Sequence, residues 1–477
     1  MNFGIDFGTS NSGVVYTAGN AREPIGEGQQ PYPSIAAIQV ITDDITSGAW
    51  VREHQAELTT SGLYRVVTSV KQHLDTPVEW SSHGRRWTPE DIAAEILTKL
   101  KRRVYDRTGA VMERATISIP VGFSRGKRAA LRRAAAAANI DVRAFISEPT
   151  AALLGQLHDL QHCRHAAVFD WGGGTLDISV IEIHGNGRVI HELKTSSLTE
   201  AGDDIDRDIA AAVHTAVMDK RGMSKPFEAV APKDRDLLLT QCEKVKCEFA
   251  APHLDDAPIS LISYEGRPLE YRLTRARFNA LIDHRVEGAI RLLRRTIEEA
   301  PLSIEEIDWL IVTGGSSRLL LLRERLLNAF QSARFSHQPE WDIAFGAAVL
   351  DQYPGDYVLA ENLGILLSDG TFHPMLRAGD RPEGARTAVS LALVEDSTHA
   401  EIPIVCSNGG GEVEPVLTLV TPTLGFDRER IEVSCGIDAD LVLHCNAQSD
   451  ARGGSGARAT YEKLRFTYEI GTHAAAI

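Results

Sequence analysis

Three stretches of the chain share one pattern: a run of apolar residues, then small residues with an acid or a threonine among them, then a turn or a helix. They are NFGIDFGTSNSGVVY (2–16), AAVFDWGGGTLDISVIEI (166–183) and IDWLIVTGGSSRLLLLRERL (307–326). In the first two, apolar residues return with strand-like alternation after the glycines, which predicts β-hairpins. In the third, Leu319, Leu322 and Leu326 fall at helical spacing, which predicts strand, Gly-Gly turn, helix. Helical periodicity fills the intervals: 90–107, with Ile92, Ile96, Leu100 and Val104 on one face, then 125–138, 203–220, 234–250 and 275–300. Strands alternating with helices predict an α/β architecture, and the likeness of the first two segments predicts a duplicated core with one hairpin from each half.

After about residue 350 the helical period disappears. Short β-rich runs take over (ENLGILLSDG, AVSLALVED, EIPIVCS, EPVLTLVTP, RIEVSCGID, LVLHCNAQ, EKLRFTYEI), separated by Gly, Asp, Asn and Pro at the spacing of a β-sandwich. The expected organisation is an α/β domain over 1–355, a linker over 356–362 and an all-β domain over 363–477. ARGGSGARA (451–459) is the expected mobile loop.

Composition narrows the classes. With 477 residues the chain can bury several cores, and 43% hydrophobic with 24% charged residues is the range of a folded globular protein. A formal charge of −15 excludes nucleic acid and anionic membrane as expected partners, because the whole molecule repels them. The six cysteines form no C-x-x-C pair, which predicts free thiols and a reducing compartment. Met1 runs directly into a strand pattern with no leader-like segment, and no apolar run reaches membrane-spanning length, so the expectation is a soluble cytoplasmic protein.

The triple glycine Gly172-Gly173-Gly174 costs conformational entropy that a flexible turn alone does not require. It is followed by neither the helix of a dinucleotide fingerprint nor the G-K-[ST] ending of a Walker loop. Bare backbone can present successive N–H groups to phosphate oxygens, but the flanking Asp170 and Asp177 repel a naked phosphate. A Mg²⁺ ion between them resolves the conflict, since this cation prefers carboxylate and water oxygens. Asp6 and Asp170 occupy equivalent places at the ends of their strands.

Taken in order, the three segments resemble the phosphate 1, phosphate 2 and adenosine motifs of the actin-like ATPase superfamily, and the surrounding detail is most similar to the heat-shock protein 70 chaperones. ISEPTAALLG (146–155) resembles that family's connecting helix, SIPVGFSRGKRAAL (118–131) its proline-centred segment, AGDDIDRDI (201–209) its Gly-Asp-Asp segment with Gly202 and Asp204, and QPEWDIAFGAAVL (338–350), with Glu340, its final nucleotide-domain helix. IEVSCGIDADLVLHCNA (431–447) resembles a strand pair of its peptide-binding sandwich. The resemblance implies a two-lobed, ribonuclease H-like duplicated ATPase domain followed by a β-sandwich. It implies ATP or ADP with Mg²⁺ as ligands, and it admits K⁺. Gly8, Thr9, Ser10, Gly172, Gly173, Gly174 and Thr175 are then phosphate contacts, and Asp6 and Asp170 hold hydrated metal. Asp177 and Glu148 order the attacking water, and Lys71 orients it and offsets charge. Gly314, Gly315, Ser316 and Arg318 lie along adenosine, with Glu243 and Lys246 sharing a helix face that reaches the ribose. Pro120 and Arg128 match a pair that relays nucleotide state to the second domain.

The chain also departs from the family. Cys247 stands where an arginine is usual, which implies weaker or faster-exchanging nucleotide. The linker keeps only Val358 and Leu359 as apolar anchors, and the chain stops at Ile477 without the family's helical lid. The implied partners are extended polypeptide clients, with cochaperones and an exchange factor. The alternative is an ATP switch whose β-domain binds one dedicated partner. An actin-like filament protein fits the appended β-domain poorly, and no sugar-site motif supports a sugar kinase.

Overall fold

The protein is seen in a computed structural model that describes residues 1–19, 21–337, 341–353, 356–382, 384–407, 413–425, 429–451 and 455–471. Both glycine-bearing segments form the expected antiparallel hairpins: Asn2–Phe7 with Asn11–Ala18, and His165–Trp171 with Leu176–His184. The third is strand Trp309–Thr313, a short 3-10 turn at Gly315–Arg318, and helix Leu320–Ala329.

Each hairpin is the centre of its own sheet. The first sheet runs Asp141–Ser147, Arg114–Ile119, Asn2–Phe7, Asn11–Ala18, Ala21–Ile25, with the first three strands parallel and the rest antiparallel. The second runs Arg334–His337, Trp309–Thr313, His165–Trp171, Leu176–His184, Val189–Leu198, again with three parallel strands followed by antiparallel ones. Within each set the chain order is fifth, fourth, first, second, third. One connectivity has been used twice.

The long helices match their periodicity. Pro89–Thr108 starts in a capping box in which Thr88 and Asp91 satisfy each other's backbone donors, and it buries Ile92, Ile96, Leu100 and Val104. Arg125–Ala137, Gly202–Lys220, Pro232–Glu248 and Arg275–Glu299 complete the set. Two further helices join the lobes at the base of the cleft. Glu148–Leu154 is buried along its whole length and crosses Asp342–Gln352, which is apolar on nearly all sides. The crossing is close: a Cβ on Gly346 would lie 1.8 Å from the Ala151 carbonyl oxygen.

Residues beyond 360 form two four-stranded antiparallel sheets that pack together, one built on Asn362–Leu366 and His399–Ser407, the other on Arg430–Ile437 and Leu443–Ser449. Their apolar interior is continuous with that of the first lobe. The sequence pattern differs from the structure at three points here. Gly456–Tyr461 is a strand paired with Leu443–Ser449, so the segment expected to be a mobile loop is ordered from residue 456 onward, while 452–454 lie outside the described residues. The linker contains strand Tyr357–Leu359. The last β-run, Phe466–Glu469, leaves the sandwich and inserts between Val189–Leu198 and Tyr357–Leu359, extending the second-lobe sheet. All six cysteines are free. Among the described residues no helix is long and apolar enough to cross a membrane.

Candidate functional site

The two hairpin turns meet over a cleft of about 350 Å³ between the lobes. Gly172 N–H donates to the Thr175 carbonyl at 2.9 Å, closing the second turn. The reason for glycine here is space. A Cβ on Gly173 would stand 2.9 Å from Ser10 Oγ, and one on Gly174 would stand 2.9 Å from Thr9 Oγ1 and 2.5 Å from Gln72 Nε2. On the other turn, a Cβ on Gly8 would lie 2.1 Å from the Asn11 carbonyl oxygen. A side chain at Gly8 would meet the backbone of its own turn, and one at Gly173 or Gly174 would displace the Ser10, Thr9 and Gln72 side chains that fill the space between the turns. Asp6, Gly8, Thr9 and Ser10 line one wall, and Asp170 and Gly172 to Thr175 line the other.

Acids crowd the floor around one cation. Lys71, 4% exposed, is brought in by the short helix Val70–His73 and pairs with Glu148 Oε1. Glu148 is the first residue of its helix, whose Ser147 N-cap accepts the Thr150 N–H at 3.3 Å. Asp6 accepts from Ser118 at 3.1 Å, and Asp177 accepts from the Val121 N–H at 2.9 Å. Burial, reinforced by Glu148, pushes the Asp6 and Asp177 carboxyls up to about 6, and the same causes with Asp177 and Asp6 added push Asp170 well above the usual range. Burial opposes the Lys71 ammonium, but Glu148 and Asp6 more than offset it and raise its pKa. Four carboxyl groups, three of them buried and that of Asp6 partly exposed, share one lysine, so the floor holds more acids than its one cation can balance. Among the described residues no group of three or more His, Cys, Asp or Glu side chains is placed to hold a metal ion.

The outer part of the cleft is lined by Glu243, Lys246, Cys247, Gly314, Gly315, Ser316 and Arg318. Gly314 has φ +86°, and a Cβ there would also meet the Trp171 carbonyl oxygen at 2.4 Å. Ser316 Oγ donates to the Gly172 carbonyl at 2.8 Å, tying this turn to the glycine hairpin. Glu243 and Lys246 share a helix face as expected but engage different partners. Lys246 Nζ is turned inward to the Gly202 carbonyl (2.9 Å) and Asp206 (2.6 Å), while Glu243 pairs across the cleft with Arg52 at 3.3 Å.

Three of the expected residues stand away from the cleft lining, Asp177 being fully buried beneath it. Gly202 sits behind Ser316, where a Cβ would meet its hydroxyl at 2.4 Å. Asp204 caps its own helix, accepting the Ala201 N–H at 2.9 Å, and pairs with Arg207. Its neighbour Asp203 does what the motif alone could not show: its side chain accepts from Ser69 (3.0 Å) and Gln72 (2.9 Å) of the first lobe, and its N–H donates to the Gly173 carbonyl (2.8 Å). Glu340 lies outside the described residues. Sequence reasoning also missed Arg52, whose guanidinium reaches the Ser10 carbonyl at 3.0 Å as well as Glu243. Nothing in the local pattern around Arg52 marks it, because its partners are nearly two hundred residues away in one case.

Two sheets of one connectivity, facing each other across a cleft floored by buried acids and walled by paired hairpin turns, define a two-lobed α/β protein with a repeated core. A profile of the family described as Hsp70 protein matches residues 51–353, more than half of the chain, and the chain belongs to that family. Membership carries with it the actin-like ATPase fold and places the protein among Hsp70-type chaperone ATPases.

Proposed function

We propose that the cleft binds and hydrolyses MgATP and that its nucleotide state controls what the β-rich region holds. The observation that carries this reading is the buried Lys71–Glu148 pair set among Asp6, Asp170 and Asp177 where the two hairpin turns meet. Phosphoryl transfer to water asks a protein mainly for positioning and charge stabilisation. In this reading Thr9, Ser10, Thr175 and the glycine N–H groups hold the β- and γ-phosphates, and Asp6 and Asp170 hold the hydrated metal. Lys71, Glu148 and Asp177 orient the attacking water, and Gly314, Gly315, Ser316 and Arg318 support the adenosine. Mg²⁺ when bound neutralises phosphate charge. The protein divides into the ATPase region 1–355, the linker 356–362 and the β-domain 363–477, and it works in the cytoplasm.

Arg128 supports the coupling. It is 5% exposed, and its guanidinium donates to the carbonyls of Phe123 (2.9 Å), Asp440 (2.7 Å) and Glu462 (2.9 Å), so a residue next to the cleft's Pro120 segment grips two loops of the β-domain. Extended apolar polypeptides are the proposed clients, with cochaperones and an exchange factor as further partners. The dedicated-switch reading is favoured by one feature: strand Phe466–Glu469 ties the β-rich region into the second-lobe sheet. Binding of a panel of unrelated unfolded peptides, measured with and without ATP alongside turnover, separates the two. Broad binding released by ATP supports the chaperone; intact turnover with no binding across the panel supports the switch.

Arg52 and Glu243 bridge the lobes over the cleft mouth. Arg52→Ala is expected to speed release of a fluorescent ADP analogue by about threefold, the scale of a half-exposed ion pair, with Glu243→Gln giving a similar change and the double variant little more. Unchanged release in all three, read by stopped flow, would remove the bridge from the nucleotide cycle.

A further inference from the structure

The glycine hairpin's outer neighbour, strand Val189–Leu198, is irregular. Val180 pairs with Lys194 and Ile181 with Glu192, so Leu193 is an extra residue in the ladder. A bulge of this kind re-aims the adjacent side chain. Here it accompanies Glu192, only 3% exposed, with both carboxylate oxygens engaged by other elements. Oε1 accepts from the Thr150 hydroxyl and lies 3.2 Å from that of Ser147; Oε2 accepts the Phe466 N–H at 3.1 Å.

Each partner matters. Ser147 is the N-cap of the helix whose first residue is Glu148, and Thr150 is in its first turn. Phe466 opens the C-terminal strand, which pairs with Val189, Ile190 and His191 on one side and with the linker strand on the other. That strand is held firmly. Arg465 donates to the Leu193 carbonyl and pairs with buried Glu361, the Thr467 hydroxyl lies 2.6 Å from His191 Nδ1, and Ile470 N–H donates to the Arg188 carbonyl at 2.9 Å. Tyr468 is fully buried. Glu192 has no ion-pair partner within 4 Å among the described residues; its charge is held by these hydrogen bonds. A buried carboxylate is costly unless its oxygens are satisfied, so its partners are constrained together.

We propose that Glu192 is a positioning residue for the ATPase site: its forked carboxylate ties the N-cap of the Glu148 helix to the backbone of strand Phe466–Glu469, so that the seating of this strand sets where Glu148 stands against Lys71. The β-domain end of the chain thereby reaches the catalytic floor through one side chain. This rests on the ATPase reading above for its catalytic consequence, while the mechanical tie is independent of nucleotide.

Glu192→Met tests it with side-chain length kept. An amide would not suffice, because its oxygen could accept the Phe466 N–H while its NH2 donated to the Thr150 hydroxyl oxygen; Glu192→Met removes both acceptors, so neither the helix nor the strand is held. Turnover is expected to fall about tenfold at saturating ATP with KM changed less than about twofold, since the loss is of alignment. Thr150→Val, which keeps side-chain shape but deletes the nearer of the two helix-side donors, is expected to give a fall in the same direction, and the double variant little more than Glu192→Met alone. Hydrogen exchange supplies the readout that a local packing role would not move: in nucleotide-free protein, Thr150→Val should raise exchange of the 466–470 amides several-fold, although among the described residues Thr150 is joined to that strand by no hydrogen bond of its own. Wild-type turnover in Glu192→Met, or unaltered exchange at 466–470 in Thr150→Val, overturns the proposal. Absence of ATP turnover in the wild-type protein overturns the ATPase reading instead, and the exchange experiment still judges the tie.

Discussion

Replacing Lys71 by alanine is expected to lower ATP turnover about a thousandfold while nucleotide affinity changes less than about tenfold. Lys71 is buried against Glu148, with Asp6 and Asp177 also raising its pKa, so its ammonium is the charge around which the acids are arranged. In the proposed reaction the transition state would add negative charge on the γ-phosphoryl group beside this ammonium, and a fixed cation in a water-poor site is worth far more there than in solvent. Affinity, by contrast, draws on the hairpin turns and the adenosine-side residues, none of which contact Lys71 Nζ in the bonds seen here. Thr175→Ala should act in the same sense with a smaller effect, because one hydroxyl is lost and no charge is stranded. The measurement is single-turnover hydrolysis beside equilibrium binding of a fluorescent nucleotide, with a melting curve to confirm folding. Equal loss of hydrolysis and binding would remove Lys71 and Thr175 from their assigned roles.

Gly346→Ala is expected to be strongly destabilising, costing about 2 kcal/mol net. Two effects oppose. Alanine favours a helix interior over glycine by about 1 kcal/mol. Overpacking costs about 1–3 kcal/mol, and this site belongs at or beyond the upper end, because the added Cβ would lie 1.8 Å from the Ala151 carbonyl oxygen, 2.6 Å from its carbonyl carbon and 2.9 Å from its Cα. Those are backbone atoms of the buried Glu148–Leu154 helix and cannot rotate aside. The opposite face of the Asp342–Gln352 helix is equally constrained, since a Cβ on Gly4 would lie 2.0 Å from the Ala344 carbonyl oxygen. The crossing therefore has no slack on either side, and turnover should fall along with melting temperature as Glu148 is displaced. Gly288→Ala is the control: it lies inside helix Arg275–Glu299, its nearest neighbour to a new Cβ is Arg291 Nη2 at 3.9 Å, and it should stabilise by about 1 kcal/mol. Equal melting temperatures for the two variants would show that the close helix crossing is not a packing constraint.

The residues that were legible in advance are those whose chemistry is written in short stretches. Asp6 with Gly8-Thr9-Ser10, Asp170 with the triple glycine, and Gly314-Gly315-Ser316 each follow an apolar strand, and a tight turn after a buried strand must emerge at its end. Asp203 was hidden by its neighbour. AGDDID offers three acids within four positions, and a helix start turns successive residues by about 100°, so which carboxylate caps and which crosses the cleft depends on where the first turn sits. Arg52 and Glu192 carry no local signature because their partners come from distant segments.

The sequence by itself determined the alternation of strands and helices, the two hairpins, the composition shift after residue 350 and the family resemblance from which the candidate ATP-site residues are proposed. These depend on period, turn chemistry and local spacing, which act over a few residues. Only the tertiary structure decided that Lys71 meets Glu148, that Lys246 turns to Asp206 while Glu243 reaches Arg52, and that the last β-run joins the second-lobe sheet. An apolar strand such as Phe466–Glu469 can satisfy its backbone at any open sheet edge, and its own pattern does not choose among edges. The choice falls to what converges there: the Glu192 carboxylate for the Phe466 N–H, the Leu193 carbonyl and Glu361 for Arg465, and a fully buried place for Tyr468.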